Sequence, residues 1–195
     1  VAVQIELFCE DSAHESCARA VINRIARELD VDVNLRVGSA RFGIPRLKSE
    51  LKDFQSLIRR GSGAPDLLVV IADGNDDGPQ ARQREVADVI DSAVFSRYVV
   101  GTPDPYVEHW LLADPISFAE RFGKQPALDS PHGRDGWKRR LVESLEAAGE
   151  IVTQGGAEFA EDIIDVMDFY RAGQSVPTIQ AFADDVRSSL KLLAG

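Results

Sequence analysis

The chain is poor in the features that commonly announce a function. Two cysteines among 195 residues, Cys9 and Cys17, cannot build a disulfide framework. Neither stands in a CxxC or CxxH spacing, so a structural zinc site is not expected and both read as reduced, partly buried thiols. No run of about 18 apolar residues exists, which argues against a transmembrane helix and against a membrane partner. The opening VAVQIELFCED has neither a basic leader nor an h-region, so a cytoplasmic location is expected. Positive charge is scarce: 22 basic against 32 acidic residues leave a net charge of −10. That opposes independent, tight binding to a nucleic-acid backbone, although a partner could supply the basic grip. The phosphate-binding signatures GxxxxGK[ST] and GxGxxG are absent, and GSGAP (61–65) precedes a strand rather than a helix, so it reads as a linker. No GxSxG elbow or Cys–His pair points to nucleophilic catalysis.

What is present is a regular alternation of strand and helix patterns. At 44% hydrophobic and 28% charged, the composition is that of a globular chain long enough to bury a core. Residues 2–9 alternate as a strand, and 14–29 carry an amphipathic stripe through Cys17, Val21, Ile25 and Leu29. VDVNLRV (31–37) alternates again. GSARFGIPR (38–46) reads as a loop, and 46–60 as a helix. DLLVVIA (66–72) is continuously apolar, as a strand covered on both faces must be. A helix over 80–94 precedes a short fourth strand in RYVVGTPDPY (97–106). VEHWLLAD (107–114) starts another helix, with a further turn of helix after Pro115.

This βαβαβαβ order predicts an α/β fold with a mostly parallel central sheet and right-handed crossovers. Beyond it lie a possible strand, EIVTQ (150–154), and helices near 134–148, 157–171 and 178–193, expected to cover an edge of the sheet. The expected division is an α/β core over 1–125 and a helical extension over 126–195, packed as a single compact domain.

The candidate chemistry lies in acids at strand ends. In open α/β sheets, ligands bind beyond the carboxyl ends of the strands. Glu10 follows the first strand. Asp73, Asn75, Asp76 and Asp77 follow the third, in LLVVIADGNDDG (67–78). Glu108 comes shortly after the fourth. Carboxylates gathered at one edge repel unless protonated or neutralised by a cation, and such an oxygen-rich set suits Mg²⁺ or Mn²⁺. The plainer reading is that strand-end acids cap helices. Asp77-Gly78-Pro79 could simply start the third helix, and Glu15 could complement the dipole of the first. His14 either orients a substrate or is a surface residue, the more common case. Asp88 and Asp91 read as solvated helix charge. Trp110 and Leu111 are expected to pack inward while Glu108 reaches the acids from the N-terminal end of its helix.

Three segments carry a family resemblance: ELFCEDSAHE (6–15), LLVVIADGNDDG (67–78) and VVGTPDPYVEHWLLADP (99–115). They resemble the Toprim (topoisomerase–primase) fold, and more closely the small Toprim-like bacterial proteins found beside ATPases of the ABC/SMC kind. GGAEFAEDIIDVMDFY (155–170) and SVPTIQAFADDVRSSL (175–190) are similar to that family too, so the resemblance covers most of the chain. The third segment is the most specific.

The resemblance implies Mg²⁺ or Mn²⁺ as cofactor, with Glu10 in acid/base or metal chemistry and Asp73 and Asn75 at the positions of the metal-holding D-x-D pair. Asn75 stands where the pattern has its second aspartate, so Asp76 or Asp77 could substitute. Asp11 stands where a glycine usually follows the strand-one glutamate. The function implied is a metal-dependent nuclease subunit, with Glu10 and Glu108 catalytic, working beside an ABC/SMC-type ATPase and reaching nucleic acid through it. The alternative is a non-catalytic regulatory or docking partner of that ATPase.

Overall fold

A computed structural model of the protein describes residues 2–38, 43–127, 131 and 133–195, with Asp76 described by its backbone alone. Among these residues the strands β1 (Val3–Cys9), β2 (Val33–Val37), β3 (Leu67–Ile71) and β4 (Tyr98–Gly101) form one sheet. Its order is β2-β1-β3-β4, and every neighbouring pair is parallel. All five residues of β3 are fully buried, as its unbroken apolar sequence requires. At the β2 edge burial alternates instead, with Asn34 and Arg36 exposed.

Helix α1 (Ser12–Leu29) carries the chain from β1 outward to β2, and α2 (Gly43–Arg59) carries it back past β1 to β3. Because the direction of winding reverses, right-handed crossovers put these helices on opposite faces. One core joins Val3, Ile5, Leu7 and Cys9 to Val21, Ile22 and Ile25 of α1. The other joins Phe8, Leu68 and Val70 to Leu47 and Leu51 of α2. Helix α3 (Pro79–Ala87) adds Val86 to the second core. None of the described helices is long and apolar enough to cross a membrane.

Several elements depart from the sequence pattern for identifiable reasons. Helix α1 starts at Ser12, not at 14, because the Asp11 carboxylate accepts from the N–H groups of Ala13 and His14. The expected loop over 38–46 falls partly on 39–42, outside the described residues, and Gly43–Arg46 already belongs to α2. Helix α3 stops at Ala87, well short of 94. The Asp91 carboxylate accepts from Ala93 N, and the buried amide of Gln55 bonds Val89 O and Asp91 N, so side chains take over the backbone groups that a longer helix would use. Asp91 is therefore a turn-forming residue rather than helix surface.

EIVTQ is not a strand. The Glu158 carboxylate gathers the N–H groups of Thr153, Gln154 and Gly156, leaving this segment no ladder to join. The helix expected over 157–171 is split into α7 (Ala160–Val166) and α8 (Phe169–Ser175), after α4 (Val107–Leu111), α5 (Pro115–Phe122) and α6 (Gly133–Ala147). At the break, Arg24 donates to the carbonyls of Ile164 and Met167, and Asp168 caps α8 at Arg171 N.

The last helix, α9 (Pro177–Ala194), was expected with its neighbours at a sheet edge. It lies over β4, an edge strand of the sheet, beside α1 and in the same core. Gly101 makes this approach possible: a Cβ there would stand 2.8 Å from the Phe182 ring. Trp110 of α4 is fully buried, stacks on Phe182 at 5.3 Å and donates its indole N–H to Thr178 Oγ1 at 2.8 Å. Trp110→Ala should therefore cost about 3–5 kcal/mol in chemical denaturation. A loss below about 1 kcal/mol would mean that α9 does not depend on this contact.

Candidate functional site

The strand register brings the acids together. Cys9 pairs with Ile71 at the carboxyl ends of the two central strands, so Glu10 and Asp73 leave the sheet side by side where the winding reverses. Glu10 Oε2 accepts from Asp73 N at 2.9 Å. The Asp73 side chain is 1% exposed. Its Oδ1 accepts from Val107 N at 3.0 Å and from His14 Nε2 at 2.8 Å. The first bond satisfies an N–H at the start of α4, whose own N-cap residue Tyr106 makes no side-chain cap. The Asp73 carbonyl accepts from Arg82 Nε at 2.8 Å. One residue after β3 thus fastens α1, α3 and α4.

His14 is fully buried, which corrects its reading as a surface residue. Its Nδ1 lies 2.8 Å from Asp11 Oδ1, and its Nε2 faces Asp73. Carboxylates only accept, so both ring nitrogens must carry protons and the ring is an imidazolium. Burial alone would lower its pKa, but the Asp73 and Asp11 carboxylates outweigh that and raise it to about 10. The same contact holds Asp11 well below the usual carboxylate range despite burial. Asp11 Oδ2 also accepts from Arg134, reaching in from α6.

Glu108 sits in the first turn of α4 and is 4% exposed, so it is a buried acid, with Trp110 and Leu111 packed inward beside it. Burial raises its pKa, and the nearby Asp73 charge pushes the same way. Asp73 Oδ2 and Glu108 Oε2 are both buried without a hydrogen-bond partner. Unsatisfied carboxylate oxygens this deep are costly and point to a missing positive or donor group.

Glu10 and Asp73 therefore meet, and Glu108 lies close enough for the Asp73 charge to act on it. Of the other candidate ligands, Asn75 and Asp77 do not join them. Asn75 takes a left-handed backbone conformation and turns its amide back to the Asp73 carbonyl at 3.4 Å. Asp77 is exposed on the 3₁₀ turn Asn75–Asp77, and the side chain of Asp76 lies outside the described residues. Glu10, His14 and Asp73 place one potential ligand atom each within 4.8 Å of one another. His14, however, has both nitrogens engaged, so of this group the Glu10 and Asp73 carboxylates are the ones that could offer oxygens to a cation, and Glu108 stands outside it. That donor set fits Mg²⁺ or Mn²⁺ rather than a softer metal.

Sequence reasoning gave Asp11 turn or cap chemistry, which it has, but missed the Asp11–His14 pairing, Arg134 and the buried state of His14. An Asp-x-x-His spacing at a strand-to-helix junction was the available signal for the first and last. Arg134, 123 positions from Asp11, had none. The chain matches no protein-family model, no curated protein sequence and no solved structure.

The His14 proton sets a pH dependence. Its ordinary pKa of 6.5 rises to about 10 on folding. Between those values the folded chain holds more protons at this group than the unfolded one, so the stability that His14 contributes is complete below 6.5 and falls as pH rises toward 10. Thermal melts of wild type and His14→Gln across this range should show the gap between them narrowing with rising pH. A constant gap would mean that His14 is neutral in the fold.

Proposed function

We propose that this chain is a Toprim-like, Mg²⁺-dependent nuclease subunit that acts on nucleic acid with an ABC/SMC-type ATPase partner, in phage defence or DNA maintenance. The observation that carries the reading is the pair of partnerless buried oxygens, Asp73 Oδ2 and Glu108 Oε2, on two acids linked through the Val107 N–H, with Glu10 bonded to the first at its backbone N–H. The resemblance of 6–15, 67–78 and 99–115 to Toprim proteins agrees with it. Glu10, Asp73 and Glu108 would hold the cation. When bound, it would offset the charge of a phosphodiester under attack. Glu10 is only partly buried and has one oxygen on Asp73 N, leaving the other for proton transfer. Asn75 and Asp77 have no part in the set proposed here.

The rival reading, a non-catalytic Toprim-like regulatory or docking partner of the ATPase, is favoured by one feature. His14 already supplies Asp73 with a positive partner inside the protein. Mn²⁺ titration separates the two. Wild type should release binding heat that Glu108→Gln and Asp73→Asn lose, and equal absence of heat in all three would favour the docking partner.

Cleavage adds a second test. The net charge of −10 repels phosphate, so the isolated chain should cut DNA weakly and with strong salt sensitivity. With the ATPase present, Glu10→Gln should lower the cleavage rate about 10²–10⁴-fold. Vigorous, salt-insensitive cleavage by the chain alone would contradict this picture.

A further inference from the structure

A site built from Glu10, Asp11, Asp73 and Glu108 in an acidic chain has a problem that a cation solves only in part: something must also hold the phosphate. Among the described residues, three basic side chains bear on these acids. His14 is fully buried between Asp11 and Asp73. Arg82 is 8% exposed and is spent on the Asp73 carbonyl and Glu85. Arg134 differs. Its side chain is 48% exposed, and it touches the cluster through Asp11 Oδ2. A guanidinium carries five N–H donors in a planar fork, so a single carboxylate contact leaves donors for an oxyanion. Its field reaches Asp73 and Glu108 as well as Asp11.

The surroundings hold Arg134 in place. Trp137, one turn further along α6, stacks on His109 with ring centroids 4.0 Å apart. His109 directly follows Glu108 in α4 and donates its Nδ1–H to Asp104 O at 2.7 Å. The helix that bears Arg134 is therefore pinned to the helix that bears Glu108. Asp11 fixes the near side of the guanidinium, and solvent has access to the remainder.

We propose that Arg134 seats a substrate phosphate against the Glu10–Asp73–Glu108 carboxylates. The proposal rests on the nuclease reading above and adds to it the group that recognises the substrate's anionic part. The shared chemistry is a phosphate oxyanion, which a nucleic-acid backbone or a free phosphate can present.

The test uses the full chain, with and without Mn²⁺, and two probes: inorganic phosphate by calorimetry and a short labelled single-stranded oligodeoxythymidine by fluorescence anisotropy. Arg134→Gln should weaken both about tenfold or more and lower the salt slope of oligonucleotide binding by about 0.7. Arg134→Lys should recover part of the loss, since the charge stays and the fork is lost. Arg139→Gln removes the same charge from an exposed position of the same helix and should leave both affinities unchanged.

Equal affinities of wild type and Arg134→Gln in both metal conditions overturn the assignment. So does an equal loss in Arg139→Gln, or a wild type that binds neither probe. Arg134-dependent binding of inorganic phosphate alone keeps the anion site and overturns a nucleic-acid substrate. Mn²⁺ heat is measured on the same samples. Its absence from wild type overturns the metal reading, while Arg134-dependent phosphate binding in the metal-free arm would still uphold the anion site.

Discussion

The structure around the site depends on one buried ion, the imidazolium of His14 held between Asp11 and Asp73. Removing His14 and Asp73 from water, with Asp11 partly withdrawn, is expensive, and their mutual attraction offsets the cost only when geometry and hydrogen bonding are close to complete. Here they are close to complete on the inner side. Asp11 Oδ1 also accepts the first free N–H groups of α1, and Asp73 Oδ1 accepts the first of α4. Arg134 closes the outer end on Asp11 Oδ2. Charges alternate in sign along Arg134 of α6, Asp11 and His14 at the start of α1, and Asp73 after β3. The row therefore works less as a store of stability than as a statement of where α1, α4, α6 and the end of β3 must lie.

That placement is possible because of the strand order. In a sheet wound β2-β1-β3-β4, the first and third strands are neighbours, and their carboxyl ends open where the helices part to opposite faces. Helix α4 is too short to persist by itself. It stands because Asp73 supplies its N-terminal acceptor and Trp110 anchors its far side beneath α9. Glu108 rides on this helix, so a packing contact with the C-terminal helices helps set the position of an acid near the strand ends.

The sequence made the sheet legible where one physical signal dominated. The unbroken apolar run at Leu67–Ile71 announced a strand covered on both faces, and strict helix periodicity marked α1 and α2. Legibility failed where side chains captured backbone groups. Glu158 dissolved an apparent strand at 150–154, and Gln55 with Asp91 ended α3 early; both effects depend on partners that periodicity does not see. The nearness of Glu10, Asp73 and Glu108 could be inferred from strand ends alone. The burial of His14 could not, because a histidine in a first helical turn reads as surface until both of its acids are placed. Arg134 was invisible, since a polar stretch beyond the α/β core gives no hint of which helix face returns to the strand ends.

An acid at a strand end invites two readings, a helix cap or a ligand for a cation, and at Asp73 the two carboxylate oxygens must be accounted for separately. Its two oxygens have different surroundings. Oδ1 is fully employed by His14 and by the N-terminus of α4, as a structural acid's would be. Oδ2 is buried with no partner, as is Oε2 of Glu108. A carboxylate needed only as a cap would gain by pairing its second oxygen or turning it to water, since the desolvation cost of leaving it bare is of the order of 1–3 kcal/mol or more. His14 cannot swing across to relieve Oδ2 without abandoning Oδ1 and Asp11. The internal cation therefore explains why the fold tolerates an acid at this depth, and it leaves Oδ2 without a partner.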